Sequence, residues 1–281
     1  MIIVNGEEFE IDSGSSVAKL VEERGLDRSR VAVELNGEIV PRGTFDDTLL
    51  HDGDKVEIVH FVGAPATHAS PALSREAYFA ALAKRHGAEN QQKLARARVG
   101  IAGLGGLGSA AACHLARLGV GKLVLVDFDV VDMSNLHRQQ YTCAQVGMKK
   151  AEALAETLRA INPFVELELH SVKVTAKNAP TLFAGCPIVC EAFDEPDQKA
   201  LLVETLLATC PDTTIVSGSG MAGMGSANTI RTHKALERLY LCGDGCTDVA
   251  TEGSLASPRV GVCAGHQANM VLRLILGETE P

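Results

Sequence analysis

The sequence predicts an α/β protein: a doubly wound, mostly parallel sheet over most of the chain, preceded by a small β-rich unit. Three observations carry that expectation. Arg98-Val-Gly-Ile-Ala-Gly-Leu-Gly-Gly-Leu-Gly-Ser109 reads as a buried strand, a glycine turn and a helix over Ser109 to Arg117, and Lys122-Leu-Val-Leu-Val-Asp127 follows as a second apolar strand. Farther on, helix and strand signals alternate, as in β-α-β units whose strands are buried on both faces. Ahead of this region, residues 1–63 hold short runs of strand formers punctuated by Asn-Gly at 5–6 and 36–37. A 46% apolar content with only 4% aromatics and no Trp fits an Ala/Val/Leu-rich α/β core.

Taken in order, Ile2-Ile-Val4 and Glu7 to Ile11 flank the first Asn-Gly pair as a hairpin with a type I′ turn. Ser15 or Ser16 can cap a short helix carrying Val17, Leu20 and Val21 on one face, and Gly25 stops it. Val31 to Leu35, Glu38 to Val40 and Lys55 to Val62 complete the strands. This order resembles the β-grasp of ubiquitin and of the sulfur carrier ThiS. A working carrier ends in an exposed Gly-Gly, whereas here Val59-His-Phe-Val-Gly63-Ala64-Pro65 runs straight on. The resemblance therefore implies a fused, degenerate carrier-like domain over 1–63 with a docking, regulatory or structural part, unless cleavage after Gly63 frees a carboxylate. Residues 64–73 are small, polar and Pro-bearing, as linkers are, and a second domain is expected over 74–281.

Ser74 can cap a helix through Lys84, after which comes the glycine turn. Gly103, Gly105 and Gly108, with Gly106 between them, satisfy G-x-G-x-x-G, in which absent Cβ atoms permit the turn and let a phosphate approach backbone N–H groups at a helix N-terminus. The alternative is a close helix–strand crossing. Asp127 ends the next strand where a carboxylate accepts bonds from ribose hydroxyls, so the arrangement reads as Rossmann-like and nucleotide-binding. Asp129, Asn135, Arg138 and Lys150 follow. That much positive charge suits a triphosphate undergoing substitution better than a nicotinamide, which the loop alone would also allow.

Lys149 to Ile161 is then a helix ended by Asn162-Pro163, and Val165 to His170 and Pro187 to Glu191 are strands. The second leads into Ala192-Phe-Asp194-Glu195-Pro196, setting Asp194 at the carboxyl end of a sheet strand, where such folds bind ligands. Its alternative role is an N-cap for the helix begun by Pro196. Thr213 to Ser217 is a further strand and Gly218 to Gly225 a small-residue connection. Ser257 caps a last helix with Pro258 at its first position and Val260, Ala264, Ala268, Val271 and Ile275 on its core face.

The runs G-L-G-G-L-G-S, D-F-D-x-V-x-x-S-N-L-x-R-Q and G-x-x-K-A resemble the ThiF/MoeB/HesA superfamily of ubiquitin-activating-enzyme-like adenylyltransferases, from about Leu94 onward. The stretches Tyr240 to Thr247 and Ala256 to Gly277 look most like its shorter ThiF group with a fused ThiS-like domain. The resemblance implies adenylylation, with ATP and Mg²⁺, of the Gly-Gly carboxylate of a separate ThiS-type carrier, and sulfur transfer from a donor for thiamine thiazole synthesis. A MoaD-like carrier or a modified tRNA base is the alternative substrate. By the same resemblance Asp127 holds the ribose, Arg138 and Lys150 bind the β/γ oxygens and Asn135 orients the polyphosphate. Asp194 matches the second acid of D-C-T-D-N and would hold Mg²⁺. Arg85 would reach the nucleotide of a neighbouring subunit in a homodimer, or simply end a solvated helix.

A formal net charge of −9 argues against nucleic acid as the main partner. No leader pattern is present, and no stretch of about 18 residues is free of charge and glycine, so no membrane association is expected and the location is read as cytoplasmic. The eight cysteines read as reduced thiols. Cys242, Cys246, Cys263 and His266 lack the paired C-x-x-C spacing of the zinc-bearing relatives, so zinc is not expected. Cys246 is the thiol nearest to the position where ThiF links to its carrier, but four residues out of register.

Overall fold

The computed structural model describes residues 1–61 and 74–281. The linker expected at 64–73, and Gly63 with it, lie outside the described residues. Met1–Ser70 and Pro71–Pro281 form separate compact units.

In the first unit, β1 (Ile2–Val4) and β2 (Glu7–Phe9) pair antiparallel about Asn5 and Gly6, whose φ angles of 50° and 84° are the left-handed values a type I′ turn requires. Ser16, rather than Ser15, caps α1 (Val17–Glu23), its hydroxyl accepting the Lys19 N–H at 3.3 Å. β3 (Val31–Leu35) and β4 (Glu38–Val40) form the second hairpin, and β5 (Lys55–His60) inserts between β1 and β3. The resulting order is β2-β1-β5-β3-β4, with β1 and β5 parallel. Alternate strand residues Ile2, Val4, Val31, Val33 and Val56 point at Leu20 and Val21 of α1, with Phe45 and Leu50 closing the core.

The second unit opens with α2 (Arg75–His86), capped by Ser74 and extending past Lys84. Gly87, at φ 83°, breaks the chain into α3 (Ala88–Arg96), a helix the sequence reading did not foresee. Then follow β6 (Arg98–Ala102), α4 (Gly106–Leu118), β7 (Lys122–Val126), α5 (Lys150–Ile161), β8 (Glu166–His170), short α6 (Ala179–Leu182), β9 (Ile188–Glu191), α7 (Pro196–Thr209) and β10 (Thr214–Gly218). β11 (Arg231–Leu236), β12 (Leu239–Gly243), short α8 (Val249–Glu252) and α9 (Ser257–Leu276) complete it. The sheet order is β11-β12-β10-β9-β6-β7-β8, parallel throughout except for the edge strand β11.

Both faces of this sheet are buried. Val99 and Ile101 of β6 look toward α4, α5 and α9, while Ala102, Val124, Val126 and Val189 look toward α6 and α7. Gly100 lies so close to the Phe183 ring that a Cβ there would sit 2.6 Å from it. Two boundaries differ from expectation. α4 starts at Gly106, not Ser109, because the Gly105 carbonyl already accepts the Ser109 N–H at 3.0 Å. The cap of α9 is Ala256, and Ser257 is its first helical residue. Among the described residues no helix is long and apolar enough to cross a membrane.

β6 is the point where the winding reverses: β7 and β8 lie on one side of it, β9 and β10 on the other. Loops leaving the carboxyl ends of β6 and β9 therefore part in opposite directions and open a crevice.

Candidate functional site

The crevice floor is the glycine turn after β6. Gly103 adopts φ 86° and donates its N–H to Val126 at 2.9 Å, and a Cβ there would stand 2.8 Å from the Ala192 carbonyl oxygen. Gly108 lies within α4, where a Cβ would come 1.9 Å from the Gly103 carbonyl. It is thus the residue that lets the helix sit down on the turn, and it does not line the crevice. The loop is pinned from behind: Ser109 donates to the Gly105 carbonyl at 2.6 Å and the Tyr141 hydroxyl to the Leu104 carbonyl at 2.8 Å.

On the β7 side stands Asp127, only 8% exposed. Its Oδ2 accepts the Leu104 N–H at 2.7 Å and its Oδ1 the Asp129 N–H at 2.8 Å. Burial pushes the carboxyl upward from its ordinary value, opposed by the Lys150 ammonium and by the two N–H bonds. The Lys150 ammonium is 2.8 Å from Asp129 and 3.9 Å from Asp127. Lys150 reaches them because the chain folds back on itself: Val131 donates to Met148 at 2.8 Å, Gly147 to Val131 at 2.9 Å and the Lys150 N–H to the Asp129 carbonyl at 2.9 Å. The arch between these segments carries Asn135 and Arg138 toward the same space.

On the β9 side, Ala192 donates to the Ala102 carbonyl at 2.8 Å, so the strand ends level with the glycine turn. Asp194 follows as an exposed carboxylate at the cavity edge. It is not the cap of α7: that position is Glu195, which makes no side-chain cap bond.

These segments enclose one cavity of ≈ 610 Å³, a size that takes a nucleotide. Gly103, Gly105, Gly106, Asp127, Asp129, Asn135, Arg138, Lys150 and Asp194 all line it. Arg85, in the last turn of α2, and Gly108 are not part of the lining. Two contributors were missed from sequence. Lys199 of α7 lines the cavity and pairs with the fully buried Glu191 at 3.0 Å, a pairing hinted at only by a lysine following an acid-ended strand, as Lys150 follows Asp127. The loop 245–249, including Cys246, forms another wall, and desolvation with the Asp244 carboxylate raises that thiol. Of the four weighed zinc ligands, Cys263 donates to the Cys242 carbonyl at 3.2 Å and His266 Nδ1 meets the Thr232 hydroxyl at 2.9 Å, so their polar atoms are engaged locally.

Residues 78–281 match the model of the ThiF family. The chain belongs to the ThiF family. Residues 2–63 of this ThiF-family chain match the ThiS family as well. Among curated proteins it is similar to the adenylyltransferase and sulfurtransferase UBA4 of Candida glabrata, 33% identical over 198 residues, covering 68% of this chain and 45% of that protein. UBA4 of Saccharomyces cerevisiae is 32% identical over 198 residues, covering 68% and 44%. The chain thus spans less than half the length of these relatives. Over 74% of its length the chain is similar in fold to Escherichia coli tRNA N6-threonylcarbamoyladenosine dehydratase TcdA in complex with AMP, at TM-score 0.66 and 23% identity, covering 98% of that chain. E. coli MccB with ATP shares the fold at TM-score 0.56 and 20% identity, covering 71% and 65%.

Proposed function

We propose that this ThiF-family chain is an ATP-dependent adenylyltransferase acting on the C-terminal Gly-Gly carboxylate of a separate ThiS-type sulfur carrier, with acyl-adenylate and pyrophosphate as products. The convergence of a glycine loop, Asp127, Arg138, Lys150 and Asp194 on one cavity carries this reading. The attacking carboxylate is already an anion, so no side-chain nucleophile is needed. Catalysis then consists of alignment and of neutralising charge that builds on the leaving pyrophosphate.

In this scheme Asp127 accepts from the ribose hydroxyls, and the loop amides leading into α4 face the phosphates. Arg138 and Lys150 bind the outer phosphate oxygens, Asp129 keeps Lys150 oriented, and Asn135 steadies the chain of phosphates. Arg85 acts on a neighbouring subunit's nucleotide in a homodimer. An exposed carboxylate at the edge of a phosphate cavity fits Mg²⁺, which takes one or two carboxylates and completes its shell with phosphate oxygens and water. Bound by Asp194, the metal would supply charge neutralisation.

The words adenylyltransferase and sulfurtransferase in the UBA4 name support the chemistry, and the ThiS-family match of residues 2–63 supports recognition of a ubiquitin-like carrier. Thiamine thiazole synthesis is one destination for the sulfur. The TcdA likeness favours a carboxylate on a modified tRNA base as the second reading.

The test is ATP–pyrophosphate exchange with Mg²⁺, with and without a ThiS-type carrier. Exchange is expected to require the carrier and to drop by about 10²-fold or more in Asp194→Ala. Exchange promoted only by modified tRNA would establish the second reading, and none with either substrate would refute adenylyl transfer.

A further inference from the structure

The strands on either side of β6 end in the same device. β7 runs directly into Asp127 and β9 ends at Glu191, each a buried carboxylate that accepts the N–H two residues on: Asp127 from Asp129 at 2.8 Å, Glu191 from Phe193 at 2.7 Å. Each is met by a lysine of the helix that follows. Lys199 donates to Oε2 and Oε1 of Glu191 at 3.0 and 3.3 Å, and to the Gly218 carbonyl at 2.9 Å. The Ser217 hydroxyl also donates to Glu191. One ammonium thus ties together the ends of β9 and β10 and the first turns of α7, around a carboxylate with 0% exposure.

All three Lys199 donors are engaged within the protein, so its place in the cavity wall is not that of a ligand-binding cation. What it does is hold both oxygens of Glu191 where water cannot reach them. A buried carboxylate stripped of its charged partner is costly, so the turn around it rearranges and the Phe193 N–H loses its acceptor. We infer that Lys199 is a positioning residue: through Glu191 it fixes the Ala192-Phe193 turn and so aims Asp194 into the nucleotide cavity. This rests on the proposed ATP site and on the role of Asp194 in it.

The test compares the full chain with Lys199→Met and Lys199→Arg, by amide hydrogen exchange without nucleotide and by ATP binding in Mg²⁺ and in EDTA. In Lys199→Met, exchange at Phe193 is expected to rise by about tenfold or more while that of Asp129 stays unchanged. ATP affinity in Mg²⁺ is expected to fall by roughly tenfold with affinity in EDTA unaffected, and Lys199→Arg to stay within about twofold of wild type. The double variant Glu191→Gln with Lys199→Met offers Phe193 a neutral amide acceptor and should return its exchange to the slow rate, which also decides the matter if the single variant fails to fold. Unchanged exchange at Phe193, an equal affinity loss in Mg²⁺ and EDTA, or no recovery in the double variant would overturn the inference. A wild-type chain that binds no ATP would refute the nucleotide reading, and the exchange data would still decide whether Lys199 holds the turn.

Discussion

Gly105 and Gly108 belong to one sequence motif and to different physics. At Gly105 the nearest atom to an added Cβ is 3.8 Å away and φ is −73°, so the backbone tolerates a side chain. At Gly108 the added Cβ would stand 1.9 Å from the Gly103 carbonyl oxygen, and backbone, not a flexible side chain, is in the way. Gly108→Ala is therefore expected to cost about 2–4 kcal/mol of stability, read as a fall in the denaturation midpoint. Gly105→Ala should stay within about 1 kcal/mol of wild type yet weaken ATP binding, since its methyl group occupies space offered to phosphate. Equal loss of stability in both variants would contradict this division of the motif. Spacing identified the glycines; which of them packs and which lines a cavity depends on how α4 crosses the turn.

Among the elements, β6, β7 and β8 are tied at one edge by a charge cluster. Glu168 of β8 meets Lys122 at 2.9 Å, Arg98 at 3.2 Å and His170 at 3.0 Å. The Lys122 ammonium and the His170 ring, with Arg98 behind them, pull its carboxyl from the ordinary 4.5 down to about 2. Because the folded value lies below the unfolded one, the contribution is present in full above about 4.5 and is lost as pH falls toward about 2. Glu168→Gln should thus lower Tm by roughly 2–4 °C at neutral pH, with the gap to wild type narrowing steadily as pH falls below about 4.5. A gap independent of pH would mean the cluster stabilises by packing alone. The strands themselves were legible as apolar runs, and the Asn-Gly turns as hairpins. α3 was not, because Ala88-Glu-Asn-Gln-Gln-Lys shows no apolar stripe and only Gln91 and Leu94 are buried. β11, exposed along most of its length, was equally silent.

At the scale of the whole molecule, the buried apolar residues among those described form one cluster within residues 2–58 and two within 94–271. Each unit therefore carries its own source of hydrophobic stabilisation. A chain of residues 74–281 alone is expected to fold cooperatively and to bind ATP within about threefold of the full chain, measured by calorimetry and titration. Failure of that fragment to fold would show that residues 1–73 contribute to its core. What the sequence by itself determined is local and chemical: the strand–glycine–helix run, an acid at the end of the next strand, and a guanidinium and an ammonium downstream. These follow from neighbours along the chain, where periodicity and backbone freedom act within a few residues. Only the tertiary structure decided that Lys150 folds back onto Asp129, that Asp194 faces the same cavity from across β6, and that Lys199 balances a buried Glu191. The strand order brings these groups together across tens of residues, and burial then makes each charge depend on its partner.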